Sequence, residues 1–435
     1  MCRPSLIFLC ILLCQRPSLH ANSWRFSFAG DQTDDQGTVV VSPDDMYLEM
    51  RGYGFEPGAD VRLEESGRAC VSDKPFRFSM RLDEGNYRVT VRLRGTQSDG
   101  EGCQTIRAEN RRLMVERLHC ECGVTVQASF AVNVRTPHIS EDESVGLNAR
   151  EYDSFQWDDR LTLEFNGNRP CVEWLEVVPA ENTTTVFLAG DSTVTDQSKE
   201  PWCGWGQILP RLFKPSVVIA NHAESGRSLR SFRNEGRWAK ILSTMKPNDV
   251  VLIQFGHNDM KEKGQGVGPY QSYSELLREY VKEVRALQGH PILVTPMHRR
   301  WFSGDKIRNT HGDYPDAMRQ VANELDVPLI DLHEMSAVMY NALGPSGSKS
   351  AFVHYPANTF PNQTERLKDD SHHNTYGAYS LALCVVKGIK DLKLDLAEEL
   401  VDKLPDFDPA NPVVPHVHDI PQSPFPVAFT TPEGS

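Results

Sequence analysis

The chain has 435 residues, of which 39% are hydrophobic and 24% charged; this is a globular composition with room for two or three domains. A formal net charge of −13 argues against nucleic acid or an anionic membrane surface as partner, since both attract basic proteins. Past the first residues, no apolar stretch is long enough to span a bilayer as a helix.

At the amino end Arg3, an apolar run over 6–14 and a polar stretch closing on Leu19-His20-Ala21 read as a signal peptide, residues 1–21. Cleavage there would release a secreted or periplasmic protein with no membrane insertion. Seven cysteines remain, and five of them (Cys70, Cys103, Cys120, Cys122 and Cys171) precede Thr185. Any disulfides are therefore expected to staple that region, with their pairing left open and at least one thiol left over in the monomer. Cys120-Glu121-Cys122 lacks the second ligand pair of a structural zinc site, so no metal and no other cofactor is expected.

Residues 22–179 read as short runs of alternating apolar residues divided by turns. In the clearest, a turn at 83–86 leads into Tyr87, Val89, Val91 and Leu93 on one face, after Phe76, Phe78 and Met80. Many short strands without helical periodicity predict an antiparallel β-sandwich. Trp24, Tyr53, Phe55, Tyr152 and Trp157 would suit sugar stacking if exposed, and core or edge packing otherwise.

From residue 180 to 404 the pattern changes. Strand-like runs at 186–189, 217–220, 250–255, 292–295 and 327–331 alternate with helical spacing at 273–287 and 317–325. A helix is predicted at 205–213, and a last one from Thr375 that buries Leu381, Val385 and Ile389. This is the α/β pattern of a parallel sheet covered on both faces. Residues 405–435 are proline-rich and predict an extended tail, either draped over the body or loose.

The chemistry-bearing residues sit where those apolar runs stop. Gly190-Asp191-Ser192 ends the first, and a serine on a strand-to-helix turn stands at the sheet edge where open α/β sheets place ligands. After the second run come Glu224, Ser225 and Gly226, and after the third Gly256-His257-Asn258-Asp259. Near the end stands Asp369-Asp370-Ser371-His372-His373, followed by Gly377. An acyl-transfer site needs a nucleophile, a base, a group to orient the base, and donors for an oxyanion. Ser192 supplies the first, and either Asp369 with His372 or Asp370 with His373 supplies the next two.

Four such blocks in this order resemble the SGNH (GDSL-type) hydrolases. The matching positions are Ser192, Gly226, Asn258 and His372. Gly190 to Val194, Gly204-Trp205-Gly206-Gln207 and Phe255 to Asp259 are most similar to rhamnogalacturonan acetylesterases, and the turn with Tyr87 to Leu93 resembles the jelly-roll sandwiches of carbohydrate-binding modules. The resemblance implies a flavodoxin-like three-layer hydrolase domain behind a galactose-binding-like sandwich. It also implies a catalytic set of Ser192, Asp369 and His372, the choice of pair resting on the family's glycine five residues after the histidine, which Gly377 meets. The amides of Ser192, Gly226 and Asn258 would form the oxyanion hole. The partner implied is an acetylated polysaccharide, with Trp205, His257, Arg227, Arg299 and Trp301 as candidate sugar contacts. An esterase for lipid or small acyl groups, or a noncatalytic polysaccharide-binding protein, are the alternatives. The sequence leaves the oligomeric state open.

Overall fold

The computed structural model describes residues 23–30, 37–96 and 102–424. The signal segment expected at 1–21 and the far end of the tail lie outside the described residues. The amino-terminal third is a sandwich of two sheets. One runs in the order Thr125–Val134, Gly85–Arg94, Cys171–Pro179, Trp24–Ser27 and Val39–Val40, with Val61–Leu63 and Cys70–Ser72 attached beside it. The other is Tyr53–Phe55, Phe76–Arg81, Arg160–Gly167, Cys103–Ala108 and Arg112–His119. The alternation in Gly85–Arg94 explains the layering, because Tyr87, Val89, Val91 and Leu93 are buried while Arg88 and Arg92 face out. Between the sheets Phe26, Phe28, Phe55 and Phe78 pack edge to face or tilted at centroid distances of 5.1–6.1 Å.

One expectation for this region is corrected. The seven described cysteines are all free thiols, so the sandwich rests on its aromatic core and not on disulfides. Of the five aromatics considered for stacking, Phe55 and Trp157 are buried, Trp24 and Tyr53 are half-buried, and Tyr152 alone is largely exposed, at 73%. Trp157 is held inside by its indole N–H on Glu151 (3.0 Å) and by Arg135, whose guanidinium lies 4.6 Å above the ring.

The second unit is a five-stranded sheet in the order Val217–Asn221, Thr184–Gly190, Val250–Gln254, His290–Val294 and Leu329–Ile330, with every pairing parallel. In chain order this is 2-1-3-4-5, the flavodoxin-like arrangement, whose crevice opens outside the carboxyl ends of the strands. Helices Ser274–Ala286, Tyr314–Leu325 and Thr375–Asp391 cover the sheet, the last from the residue where a helix is predicted. The predicted helix at 205–213 is one α-turn, Trp205–Ile208, followed by the 3₁₀ turn Leu209–Leu212. Pro210 lacks the N–H that an α-helix would use there. The run predicted as strand at 327–331 pairs only at Leu329–Ile330, because Asp331 instead caps the next helix, accepting the Glu334 N–H at 3.2 Å.

Buried ion pairs join the two units: Arg112–Asp196 at 2.6 Å, Arg111–Glu200 at 2.6 Å and Arg237–Glu151 at 2.6 Å. The tail to residue 424 is draped and not loose. Val414, Val417 and Ile420 enter the core of the parallel-sheet unit. Ser423 then bonds Glu164 of the sandwich through its hydroxyl (2.7 Å) and Glu200 through its amide (3.0 Å). Among the described residues, no helix is long and apolar enough to cross a membrane.

Candidate active site

Three chain segments meet at the carboxyl edge of the parallel sheet. The strand Thr184–Gly190 ends on a glycine where a Cβ would lie 2.6 Å from the Val194 side chain, so only glycine lets the chain turn there. Asp191 then fixes the turn by accepting from the Thr193 amide (3.0 Å) and hydroxyl (2.7 Å). Ser192 is thereby presented to His372, its Oγ 2.8 Å from Nε2. The other ring nitrogen, Nδ1, lies 2.9 Å from Asp369 Oδ2.

Asp369 is over-determined. Its Oδ1 accepts the amides of Ser371 and His372, both at 2.9 Å, and Oδ2 also accepts the Trp202 indole N–H at 3.2 Å. Burial pushes this carboxyl up, but the bond and charge of His372 together with the two amides outweigh burial and hold it at about 2. The alternative pair is turned away from the serine. Asp370 meets Arg300 at 2.6 Å and His354 at 2.8 Å, and His373 Nε2 bonds the Tyr340 hydroxyl at 2.7 Å. Gly377 has a packing reason of its own, since a Cβ there would lie 1.9 Å from the Ala351 carbonyl.

Facing Ser192 is a set of unspent donors. Gly226 adopts φ +79°, and among the described residues neither its amide nor that of Ser192 has an acceptor. Asn258 Nδ2 donates one bond to the Arg227 carbonyl at 3.1 Å, which orients the amide and leaves its second N–H over. Beneath them the buried His257 Nδ1 sits 3.4 Å from Asp191 Oδ2. Burial pushes Asp191 up, and its contacts with His257 and Thr193 win, holding it low. Among the described residues, no group of three or more His, Cys, Asp or Glu side chains is placed to hold a metal ion.

The five candidate sugar contacts fare unevenly. Trp205 is corrected: it is buried in the core with its indole N–H on Gln254 at 2.7 Å, and offers no face to a ligand. His257 and Arg227 are also interior, the guanidinium being engaged by Glu235 (2.7 Å) and the Ser225 carbonyl (2.9 Å). Arg299 is half-buried and supports the site from below, donating to the His257 carbonyl at 2.9 Å. Trp301 is exposed. Sequence reasoning missed Trp202 and Gln197, which hold Asp369 and the Ser192 carbonyl (2.8 Å) respectively. Nothing in their local pattern marks them, because their partners are distant or backbone.

Asp259 offers a test of burial in this site. Its Oδ1 accepts the Leu229 amide at 2.9 Å while Oδ2 has no partner, and burial pushes the carboxyl from an ordinary 3.8 up to about 7. A raised folded-state value means the folded protein keeps the proton longer than the unfolded chain. The penalty for ionising therefore grows from about pH 4 to pH 7 and is complete above that. Asp259→Asn is expected to gain melting temperature relative to wild type at pH 8 and little or none at pH 4. Equal differences at both pH values would contradict a penalised charge.

Residues 188–358 match the GDSL-like lipase/acylhydrolase family. The chain is 42% identical over 221 residues to the rhamnogalacturonan acetylesterase RhgT of Bacillus subtilis (strain 168), covering 50% of this chain and 94% of that protein. The chain belongs to the GDSL family. It is also similar to the probable rhamnogalacturonan acetylesterase YesY of the same organism, at 35% identity over 97% of that protein. A third relative, the uncharacterized esterase YxiM, is 25% identical across 84% of this chain and 90% of its own length. This GDSL protein is an esterase.

Proposed function

We propose that this esterase removes O-acetyl groups from a plant-type polysaccharide, rhamnogalacturonan first, by a Ser-His-Asp acyl-enzyme mechanism. We take residues 22–179 as an accessory sandwich, 180–404 as the hydrolase domain and 405–435 as its tail, exported after loss of residues 1–21. The observation that carries the chemistry is the unbroken line from Asp369 through His372 to Ser192, with free amide donors opposite. His372 Nε2 takes the hydroxyl proton as Ser192 Oγ attacks the ester carbonyl, and Asp369 favours the tautomer that leaves Nε2 open. Three donors, the Ser192 and Gly226 amides and Asn258 Nδ2, stabilise the tetrahedral oxyanion. His372 then returns the proton to the departing sugar oxygen, leaving acetyl on Ser192. Water, deprotonated by the same imidazole, releases acetate.

The relatives named above support acetyl and carbohydrate, and the polar walls of the site suit a sugar alcohol better than a long acyl chain. Acetate release across acetylated pectic, xylan and mannan substrates tests the reading, and strongest release is expected from the pectic one. Activity confined to long-chain esters would replace it with a lipid esterase. Failure of a fluorophosphonate to label Ser192 would leave a noncatalytic binding protein.

Asn258→Ala is expected to lower turnover by roughly a hundredfold or more, the usual effect of losing one oxyanion donor, with the melting temperature little changed. Wild-type turnover in that variant would remove Asn258 from the hole.

A further inference from the structure

A cleft of about 210 Å³ opens between the sandwich and the parallel-sheet unit, with Asn110, Arg150 and Gln156 on one side and Gln197, Trp202 and Ser225 on the other. Its hydrolase wall is the back of the active site. Gln197 holds the Ser192 carbonyl, Trp202 holds Asp369, and Ser225 immediately precedes Gly226. A ligand lying here would therefore touch the groups that fix the nucleophile and its base.

The charges around the cleft are largely spent on one another. Glu224 takes the Arg150 guanidinium, Glu151 takes Arg237 at 2.6 Å, and Asp196 takes Arg112 at 2.6 Å. Asp153 and Lys199 stand exposed at the lining with opposite charges, and the buried groups left over are neutral. Gln156 is 3% exposed, yet its amide oxygen is buried without a partner. Asn110, 4% exposed, spends its oxygen on the Phe155 amide (3.1 Å) and keeps its N–H donors. A buried amide oxygen such as that of Gln156 is seldom left unpaired. The complement of that oxygen and the Asn110 donors is an uncharged group that both donates and accepts, which is the chemistry of a sugar hydroxyl. A carboxylate would instead face Glu224 and Asp196.

We propose that this cleft is a subsite for a neutral sugar ring, read by the side-chain amides of Gln156 and Asn110. The sandwich and the hydrolase then grip one glycan chain together. The assignment rests on the polysaccharide reading above. At about 210 Å³ the cleft is below the roughly 300–1,000 Å³ of a pocket for a drug-sized ligand, which suits a single ring.

The test compares the full chain on an acetylated oligosaccharide and on p-nitrophenyl acetate, which has no sugar to fill the cleft. Ser198 is an exposed residue of the cleft lining, so Ser198→Trp fills the space without disturbing the core. That variant is expected to lose roughly tenfold or more in kcat/KM on the oligosaccharide, about one neutral hydrogen bond or more, and nothing on p-nitrophenyl acetate. Gln156→Leu is expected to raise KM for the oligosaccharide with kcat retained. Unchanged oligosaccharide kinetics in both variants, or equal losses on both substrates, would overturn the subsite while leaving the acetylesterase reading standing. A wild-type chain that cleaves p-nitrophenyl acetate but releases acetate from no glycan would overturn both.

Discussion

Ser192→Ala is expected to abolish acetate release, lowering turnover by roughly 10⁴- to 10⁶-fold, the range seen when the nucleophile of a serine triad is removed. The variant loses only an oxygen whose partner is His372, 2.8 Å away, and the turn around it is held by other groups. Gly190 admits the bend, Asp191 binds Thr193, and Gln197 holds the residue 192 carbonyl. Its melting temperature should therefore stay close to wild type, and fluorophosphonate labelling should disappear. An unfolded variant would make the loss of rate structural; a folded variant that keeps its rate would mean the nucleophile lies elsewhere.

Asp369→Asn is the second large effect, at about 10⁴-fold in turnover by analogy with the triad aspartate of other serine hydrolases. The substitution is nearly isosteric and can still accept the amides of Ser371 and His372 through one oxygen. The group facing His372 Nδ1 then becomes an N–H, which drives the imidazole proton to Nε2 and leaves nothing to accept the Ser192 hydroxyl. The same change has a stability signature. The folded carboxyl is held at about 2 against an ordinary 3.8. Its stabilisation is therefore complete above about pH 4 and is lost as pH falls through 2, an amount of about 2 kcal/mol. Asp369→Asn should accordingly be less stable than wild type at pH 7, with the gap closing in acid. A rate loss without this pH-dependent gap would mean that His372 does not depend on an ionised partner.

Ser192, Gly226 and Asn258 were legible in sequence because each follows an apolar run, and parallel strands bring their carboxyl ends to one edge; Asp369 and His372 come instead from Leu367–His373, a strand of a separate antiparallel pair. The choice between Asp369 with His372 and Asp370 with His373 was harder, since both pairs have the same spacing. Contacts separate them: Arg300 and His354 take Asp370, and Tyr340 takes His373. Trp205 misled because an aromatic beside a nucleophile block reads as a sugar platform, whereas Gln254 draws its indole N–H into the core. The short helix at 205 and the clipped strand at 329–330 were missed at their boundaries. Pro210 and the capping Asp331 act within a turn or two, below the resolution of hydrophobic periodicity.

The sequence by itself determined the two fold patterns, period-two alternation for the sandwich and βα alternation for the parallel sheet, along with the identity of the serine, histidine and glycine that the sheet edge presents. These are local properties, set by side-chain chemistry within a few residues. Only the tertiary structure decided that all seven described cysteines are free, that the tail straps both units, and that Gln156 and Asn110 of the sandwich line a cleft behind Ser192. Each of these depends on groups far apart along the chain meeting in space, as Arg150 meets Glu224 across 74 positions, and no pattern within either segment records which partner the other will be.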